Sequence, residues 1–403
     1  MLTPFRQDTN SLYLTARLNE LGVEVEFKTI VGDRREQLVE ACRIALRRAA
    51  IVLISGGLGP TEDDLTRECA AEALGVDLRR DHTVVTELYT RYAERRMSMP
   101  PGNAKQADYL EGATVLKNDR GTAPGQFWSG KFEEADKIVV LLPGPPFELK
   151  AMWEQQCQPR LKALLPPSHI ALRELRIAMI GESLVDQRAA KIYTQYPDIR
   201  TTILASAGEV QLHLRREAAT MEEAEARVEE LAAKLEEEFG DDVFSTNGEK
   251  LEQIAGYYLQ MRGATLAVAE SCTGGLLSQR ITSVSGASRY FLGGAIVYSN
   301  DLKTGFTDVP PLLIAEKGAV SPEVAVSLAE GIRKRCRATL GVGITGIAGP
   351  NGGTEEKPVG TVCLAIAAQT GTKSVQKLFK GDREHIRMWA AQQALDMIRR
   401  ELI

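Results

Sequence analysis

Apolar positions along this chain switch repeatedly between a period near 3.6 and a period of 2. Leu14, Leu18 and Leu21 recur at helical spacing and predict a helix over residues 10–21, capped by Asp8 or Asn10. Val23, Val25 and Phe27 then alternate as in a half-buried strand. A helix over 33–49, a continuous apolar strand over 50–55, a strand over 137–142 and a helix over 146–161 complete a first block, punctuated by Pro166-Pro167-Ser168. A smaller α+β linking block has strands at 174–180 and 209–214. Its helix start is at Gly181-Glu182-Ser183, and the mixed charges of its helix over 221–239 read as a solvated face. The alternation resumes with a helix at 250–261, a strand at 264–269, a helix from 276 and a strand at 291–298. A helix at 322–335, strands at 340–344 and 360–367 and a last helix follow. The expected fold class is α/β, with three domains at 1–167, 168–247 and 248–403. The first and third are α/β/α layers, and in the first the alternation implies a parallel sheet covered on both faces.

Composition narrows the function classes. The chain has 403 residues, 44% apolar and 26% charged, as in ordinary globular domains. A net charge of -5 argues against sequence-independent nucleic-acid binding. No apolar run approaches the roughly 20 residues of a membrane span, and no signal peptide opens the chain. Six cysteines scattered singly and four histidines without ligand spacing argue against a disulfide framework or structural zinc. The expectation is a cytoplasmic protein with reduced thiols, and by base rates a homodimer.

Candidate chemistry concentrates in the last block. Glu270-Ser271-Cys272-Thr273-Gly274-Gly275 lies between a strand and a helix, so a hydroxyl and a thiol stand at a strand's carboxyl end. Gly274 and Gly275 permit close backbone approach, and the helix start offers N–H groups. Read alone, the stretch is equally an N-capped turn. Three further constellations stand beside it: Tyr298 through Lys303; Gly343-Ile344-Thr345-Gly346-Ile347-Ala348-Gly349-Pro350; and Arg383 with Arg387 one turn on. Together they permit amide hydrolysis. A serine needs a base, no histidine is near in sequence, and Lys303 with a lowered pKa is the available substitute. Thr345 and glycine N–H groups would stabilise an oxyanion, and Arg383 would pair with a phosphate. The plainer readings are a solvated lysine, a strand-end tyrosine and an arginine bridging to Glu384.

In the first block an apolar strand runs into Ser55-Gly56-Gly57-Leu58-Gly59-Pro60-Thr61, whose glycines leave the main chain free to wrap a phosphate. Asp63 and Asp64 are hard oxygen ligands for a divalent cation; the plainer reading has Thr61 or Asp63 capping the next helix. Gly121-Thr122-Ala123-Pro124-Gly125 and Pro143-Gly144-Pro145-Pro146 are similar loops, each alone an ordinary turn.

These loops, with Asp8-Thr9-Asn10-Ser11, resemble the molybdenum-cofactor-binding fold, and more closely the N-terminal half of the competence/damage-inducible protein A (CinA) family. Residues 264–403 resemble the CinA C-terminal domain and its stand-alone relatives, the PncC-type nicotinamide mononucleotide deamidases; the middle block resembles the family's linking domain. The resemblance implies hydrolysis of nicotinamide mononucleotide to nicotinic acid mononucleotide and ammonia, without a cofactor. Ser271 and Lys303 would be the reacting pair, Tyr298 and Thr345 would support them, and Gly274, Gly275, Gly346, Gly349 and Arg383 (or Arg387) would bind substrate. For the N-terminal half it implies a metal-dependent ADP-ribose pyrophosphatase. There Asn10, Gly56, Gly57, Gly59 and Thr61 would lie at the nucleotide and Asp63 and Asp64 at the metal. The family's leading strand ends in a Gly-x-Glu-Leu-Leu-like turn, whereas this sequence opens Met1-Leu2-Thr3-Pro4. Rival expectations are a non-catalytic nucleotide sensor in competence or damage responses, and a molybdopterin-handling enzyme built on the first block alone.

Overall fold

In the computed structural model residues 7–165 and 169–403 are described, so the expectations on Met1-Leu2-Thr3-Pro4 and Pro166-Pro167-Ser168 lie outside the described residues. The chain divides into two units, Met1–Ser168 and His169–Ile403.

Asp8 caps the first helix as expected: its carboxylate accepts the Ser11 N–H at 2.9 Å, and α1 spans Thr9–Glu20. After it come α2 (Arg35–Arg48), β1 (Ile51–Ser55), α3 (Thr66–Leu74), β2 (Leu78–Arg80), α4 (His82–Glu94), β3 (Asp108–Leu110) and β4 (Thr114–Leu116). Strands β5 (Gly125–Phe132) and β6 (Ala135–Leu142) precede α5 (Pro146–Met152) and α6 (Gln158–Leu164). The main sheet has order β1-β6-β5-β4. Only β1 and β6 run parallel; β5 and β4 are antiparallel, which corrects the all-parallel expectation. The cause is local. Glu133 and Glu134 both take positive φ (46° and 65°) and turn β5 directly into β6, too short a link for a crossover helix.

Residues 23–30 also differ from expectation: they form no strand. Val23 and Val25 pack against the core cluster of Leu14, Leu18 and Trp153, while Phe27 is exposed beneath the Arg48 guanidinium, 4.1 Å from its ring centroid. Alternation here records one-sided packing of an extended segment that has no ladder partner among the described residues. The single helix expected over 146–161 contains a π-helical turn, Trp153–Cys157. Pro159 stands two residues beyond it, and a proline lacks the N–H and clashes with the carbonyl a turn back, which a widened turn relieves.

The second unit holds two sheets. Strand β7 (His169–Ala178), α7 (Glu182–Tyr193), β8 (Arg200–Ser206), β9 (Glu209–Ala218), α8 (Met221–Phe239) and β10 (Val243–Ser245) form an antiparallel sheet, order β10-β7-β9-β8, backed by helices. Helix α8 buries Val228, Leu231 and Leu235 and leaves its charges outward, as its pattern predicts.

Next come α9 (Leu251–Met261), β11 (Leu266–Glu270), α10 (Leu276–Thr282), β12 (Phe291–Ile296), α11 (Asn300–Thr307), α12 (Pro311–Lys317) and α13 (Pro322–Cys336). Strands β13 (Leu340–Gly346), β14 (Thr361–Ala368) and β15 (Gly371–Leu378) and helix α14 (Arg383–Leu402) complete the chain. The sheet order is β12-β11-β13-β14-β15, parallel across the first three strands and antiparallel across the last two. Leu266 and Val268 face one buried cluster with Ile386 and Leu395 of α14, while Ala267 and Ala269 face another with Val324 and Leu328 of α13. Helix α13 lies so close that a Cβ on Gly343 would stand 2.4 Å from Ala325 O. Gly343→Ala is therefore expected to cost about 1–3 kcal/mol by overpacking, measured by denaturant unfolding.

Helix α14 also ties the two sheets of this unit together. Buried Arg399 donates to Asp396 (2.7 Å) and to Asp241 O (2.6 Å), and Arg400 joins Asp396 (2.7 Å) to Asp242 (2.8 Å).

Candidate functional site

Strand β11 leads through α10 on one face to β12, and β12 leads through α13 on the other face to β13 on the far side of β11, so consecutive connections diverge here. Ligand crevices of open α/β sheets form at such points, outside the carboxyl ends of the strands. The loop carrying Ser271 begins there: Ser271 N donates to Ile344 O of β13 (3.0 Å) and Gly274 N returns to Ser271 O (3.0 Å). Gly274 (φ 58°) and Gly275 (φ 93°) make the turn into α10 possible.

Sequence reasoning missed Glu270, which is 1% exposed. Its carboxylate accepts the N–H groups of Gly275 (3.0 Å), Leu277 (3.1 Å) and Ser278 (2.8 Å) and the Ser278 hydroxyl (2.6 Å). The expectation that the start of α10 offers free N–H groups to a ligand is thus corrected: an internal carboxylate occupies them. The signal was legible. An acid ending a wholly buried strand needs donors, and a helix start five residues on supplies them.

Lys303 is 2% exposed and no surface charge. Ser299 caps α11 by accepting the Leu302 N–H (3.2 Å), and this short helix turns Lys303 inward. Its Nζ donates to Val297 O (3.0 Å) and Tyr298 O (3.3 Å). Burial pushes the amine below its ordinary 10.5. Ser271 and Lys303 share no hydrogen bond, and the ionisable group that interacts with Lys303 is the Cys272 thiol. That thiol is itself pushed up to about 12 by burial.

Thr345 is buried, but its hydroxyl donates to Ala319 O (2.7 Å), so it braces the 318–321 loop instead of pointing a free donor at an oxyanion. Gly346 admits the Cys272 side chain: a Cβ there would lie 3.0 Å from its Sγ. Arg383 joins two expected residues, donating to the Tyr298 hydroxyl (2.7 Å) and to Gly349 O (2.8 Å). Arg387, one turn along α14, holds Thr273 O through Nε (3.2 Å) and Nη2 (2.7 Å). Among the described residues neither arginine belongs to an ion pair, so Arg383 does not bridge to Glu384.

In the first unit the loop after β1 packs against the loop after β6. Asn10 Nδ2 donates to Gly144 O (2.8 Å), and a Cβ on Gly144 would lie 3.5 Å from the Cα of Gly56. Gly57, at φ 67°, leaves no room for a side chain because a Cβ would stand 2.2 Å from the Thr66 hydroxyl. Arg67, fully buried, donates to Leu58 O (2.7 Å) and Gly59 O (3.0 Å), and Lys105 Nζ donates to Thr61 O and to Asp64 O (3.3 Å). Neither cation stood among the expected residues. Thr61 directs its N–H (2.9 Å) and its hydroxyl to the Asp64 carboxylate. Asp63 is exposed, and α3 begins at Thr66 without a side-chain cap. Thr61 thus interacts with both carboxylates expected at a metal, Asp64 and Asp63. Among the described residues no group of three or more His, Cys, Asp or Glu could hold a metal ion.

These features define a mixed α/β protein in which the first four-stranded sheet and the last, five-stranded sheet each gather glycine-rich loops and polar side chains at the carboxyl ends of their strands. Residues 2–163 match the probable molybdopterin binding domain, 172–245 the damage-inducible protein CinA KH domain, and 248–402 the CinA C-terminal domain. A CinA-like protein of Koribacter versatilis (strain Ellin345) is 61% identical over 403 residues, covering 100% of this chain and 97% of that protein. A putative competence-damage inducible protein of Moorella thermoacetica is 43% identical, covering 98% of this chain and 94% of that one. A solved competence/damage inducible protein from Agrobacterium tumefaciens is 36% identical over 36% of this chain and 90% of its own, with a TM-score of 0.36. The chain belongs to the CinA family.

Among the described residues no helix is long and apolar enough to cross a membrane, and none of the cysteines forms a disulfide.

Proposed function

We propose that this protein hydrolyses the carboxamide of nicotinamide mononucleotide, giving nicotinic acid mononucleotide and ammonia, at the Ser271 crevice. The observation that carries the reading is the buried amine of Lys303. A neutral amine has two N–H groups, and Val297 O and Tyr298 O accept both, which leaves the lone pair for a proton. Ser271 Oγ attacks the carboxamide carbon while its proton passes to Lys303 Nζ. Collapse of the tetrahedral adduct expels ammonia, which carries that proton away. Water then attacks the acyl-serine, with Lys303 again taking and returning a proton, and the acid leaves with the Ser271 hydroxyl restored. The guanidinium groups of Arg383 and Arg387 would receive the phosphate. Arg383→Ala is expected to raise KM about 10- to 100-fold with a smaller change in kcat, read from initial rates of ammonia release.

The deciding assay incubates the full chain with nicotinamide mononucleotide and measures ammonia together with nicotinic acid mononucleotide. A folded protein that releases neither refutes the reading. One observation favours a second: Ser271 and Lys303 are not hydrogen-bonded, as a nucleotide sensor without turnover would allow. That alternative predicts calorimetric binding of the mononucleotide with no ammonia. For the first unit we propose nucleotide binding at the Gly56–Gly57 loop, and no hydrolytic step is assigned to it.

A further inference from the structure

We propose that the glycine loop of the first unit binds a nucleoside diphosphate without a divalent metal, the Lys105 ammonium supplying the charge that a metal would bring. This rests on the reading of that loop as a nucleotide site. A hard cation there would need oxygen ligands from the loop's carbonyls and from Asp63 and Asp64. Resident cations already take the carbonyls: Arg67 those of Leu58 (2.7 Å) and Gly59 (3.0 Å), Lys105 those of Thr61 and Asp64 (3.3 Å). On the facing loop Arg91 takes Gly121 O and Asn118 O (2.8 Å). The Asp64 carboxylate accepts the Thr61 N–H at 2.9 Å, and the exposed Asp63 carboxylate is held below its ordinary range by Thr61, with the Lys105 ammonium adding to the effect, so both acids already have partners.

The arrangement that repels a metal attracts an anion. Arg67 is fully buried behind the loop and makes no salt bridge among the described residues, while Glu68, Asp108 and Asp64 offset part of its charge at longer range. Lys105 uses two of its three N–H groups on carbonyls and keeps the third for a phosphate oxygen. Asn10 gives independent evidence of a ligand. It is 4% exposed, its Nδ2 is fixed on Gly144 O beside Gly56, and its Oδ1 has no partner among the described residues. A buried amide oxygen without a donor marks a place for a ligand's own N–H or O–H. A nucleoside diphosphate carries both features: phosphates for Lys105 and ribose hydroxyls or a base amine for Asn10.

The test titrates the full chain calorimetrically with ADP, in excess EDTA and again with manganese. Equal affinity in the two conditions is expected, with a loss of about 10- to 100-fold in Lys105→Met and near-retention in Lys105→Arg. Binding that appears only with manganese overturns the inference but leaves the nucleotide reading intact. So does unchanged binding in Lys105→Met, or equal loss in Lys105→Arg and Lys105→Met when both melt like the parent chain. Absence of ADP binding in both conditions overturns the nucleotide reading as well.

Discussion

Ser271→Ala is expected to lower ammonia release from nicotinamide mononucleotide by about 10⁴-fold or more, because removing a covalent nucleophile leaves only what binding and electrostatics contribute. The adjacent Cys272→Ala is expected to stay active. Cys272 is a core residue 5% exposed, its thiol is pushed up to about 12, and at neutral pH it is a protonated, apolar group. The pair of variants separates the two candidate nucleophiles in a single assay. A dead Cys272→Ala enzyme with an unchanged melting curve, beside an active Ser271→Ala enzyme, would reverse the assignment.

Lys303→Met is expected to remove about 10²- to 10⁴-fold of the rate and, with it, the pH dependence that the amine imposes. The sign follows from the protonation state. Lys303 accepts a proton only when neutral, so the rate rises with pH until the amine's pKa is passed. Burial places that pKa below 10.5. Cys272 would raise it only as a thiolate, a form its own elevated pKa suppresses at neutral pH. Met keeps the stem's volume but leaves the Val297 and Tyr298 carbonyls without this donor, at a cost of about 1–3 kcal/mol, so rates are compared well below the variant's melting temperature. A Lys303→Met enzyme that keeps the full rate and the wild-type pH dependence would remove Lys303 from the chemistry.

Much of the fold could be read from residue patterns, and the failures share physical causes. Central strands such as β11 and β13 are continuous apolar runs because both faces are covered, and they were legible. Strands β8 and β15 were not. Each ends its sheet, and their mostly exposed residues, Lys373, Ser374, Gln376 and Lys377 among them, lack an apolar rhythm. Ser271, Tyr298 and Arg383 could be picked out because strand–loop–helix punctuation exposes them. The inward turn of Lys303 could not, since an eight-residue helix offers little periodicity; its only advance sign was Ser299 three places before Leu302. Arg67 and Lys105 were invisible for a different reason. Their partners are backbone oxygens, which carry no residue code.

The ionic knot of Asp396, Arg399 and Arg400 bears on how the chain can be cut. A fragment starting at residue 248 would keep both arginines but lose the Asp241 carbonyl and the Asp242 carboxylate that receive them. Arg399, now sheltered from solvent, would then need hydration on the very helix whose opposite end presents Arg383 to the crevice. Excision should therefore loosen that helix from its far end inward, whereas a cut placed ahead of His169 would leave both partners in position.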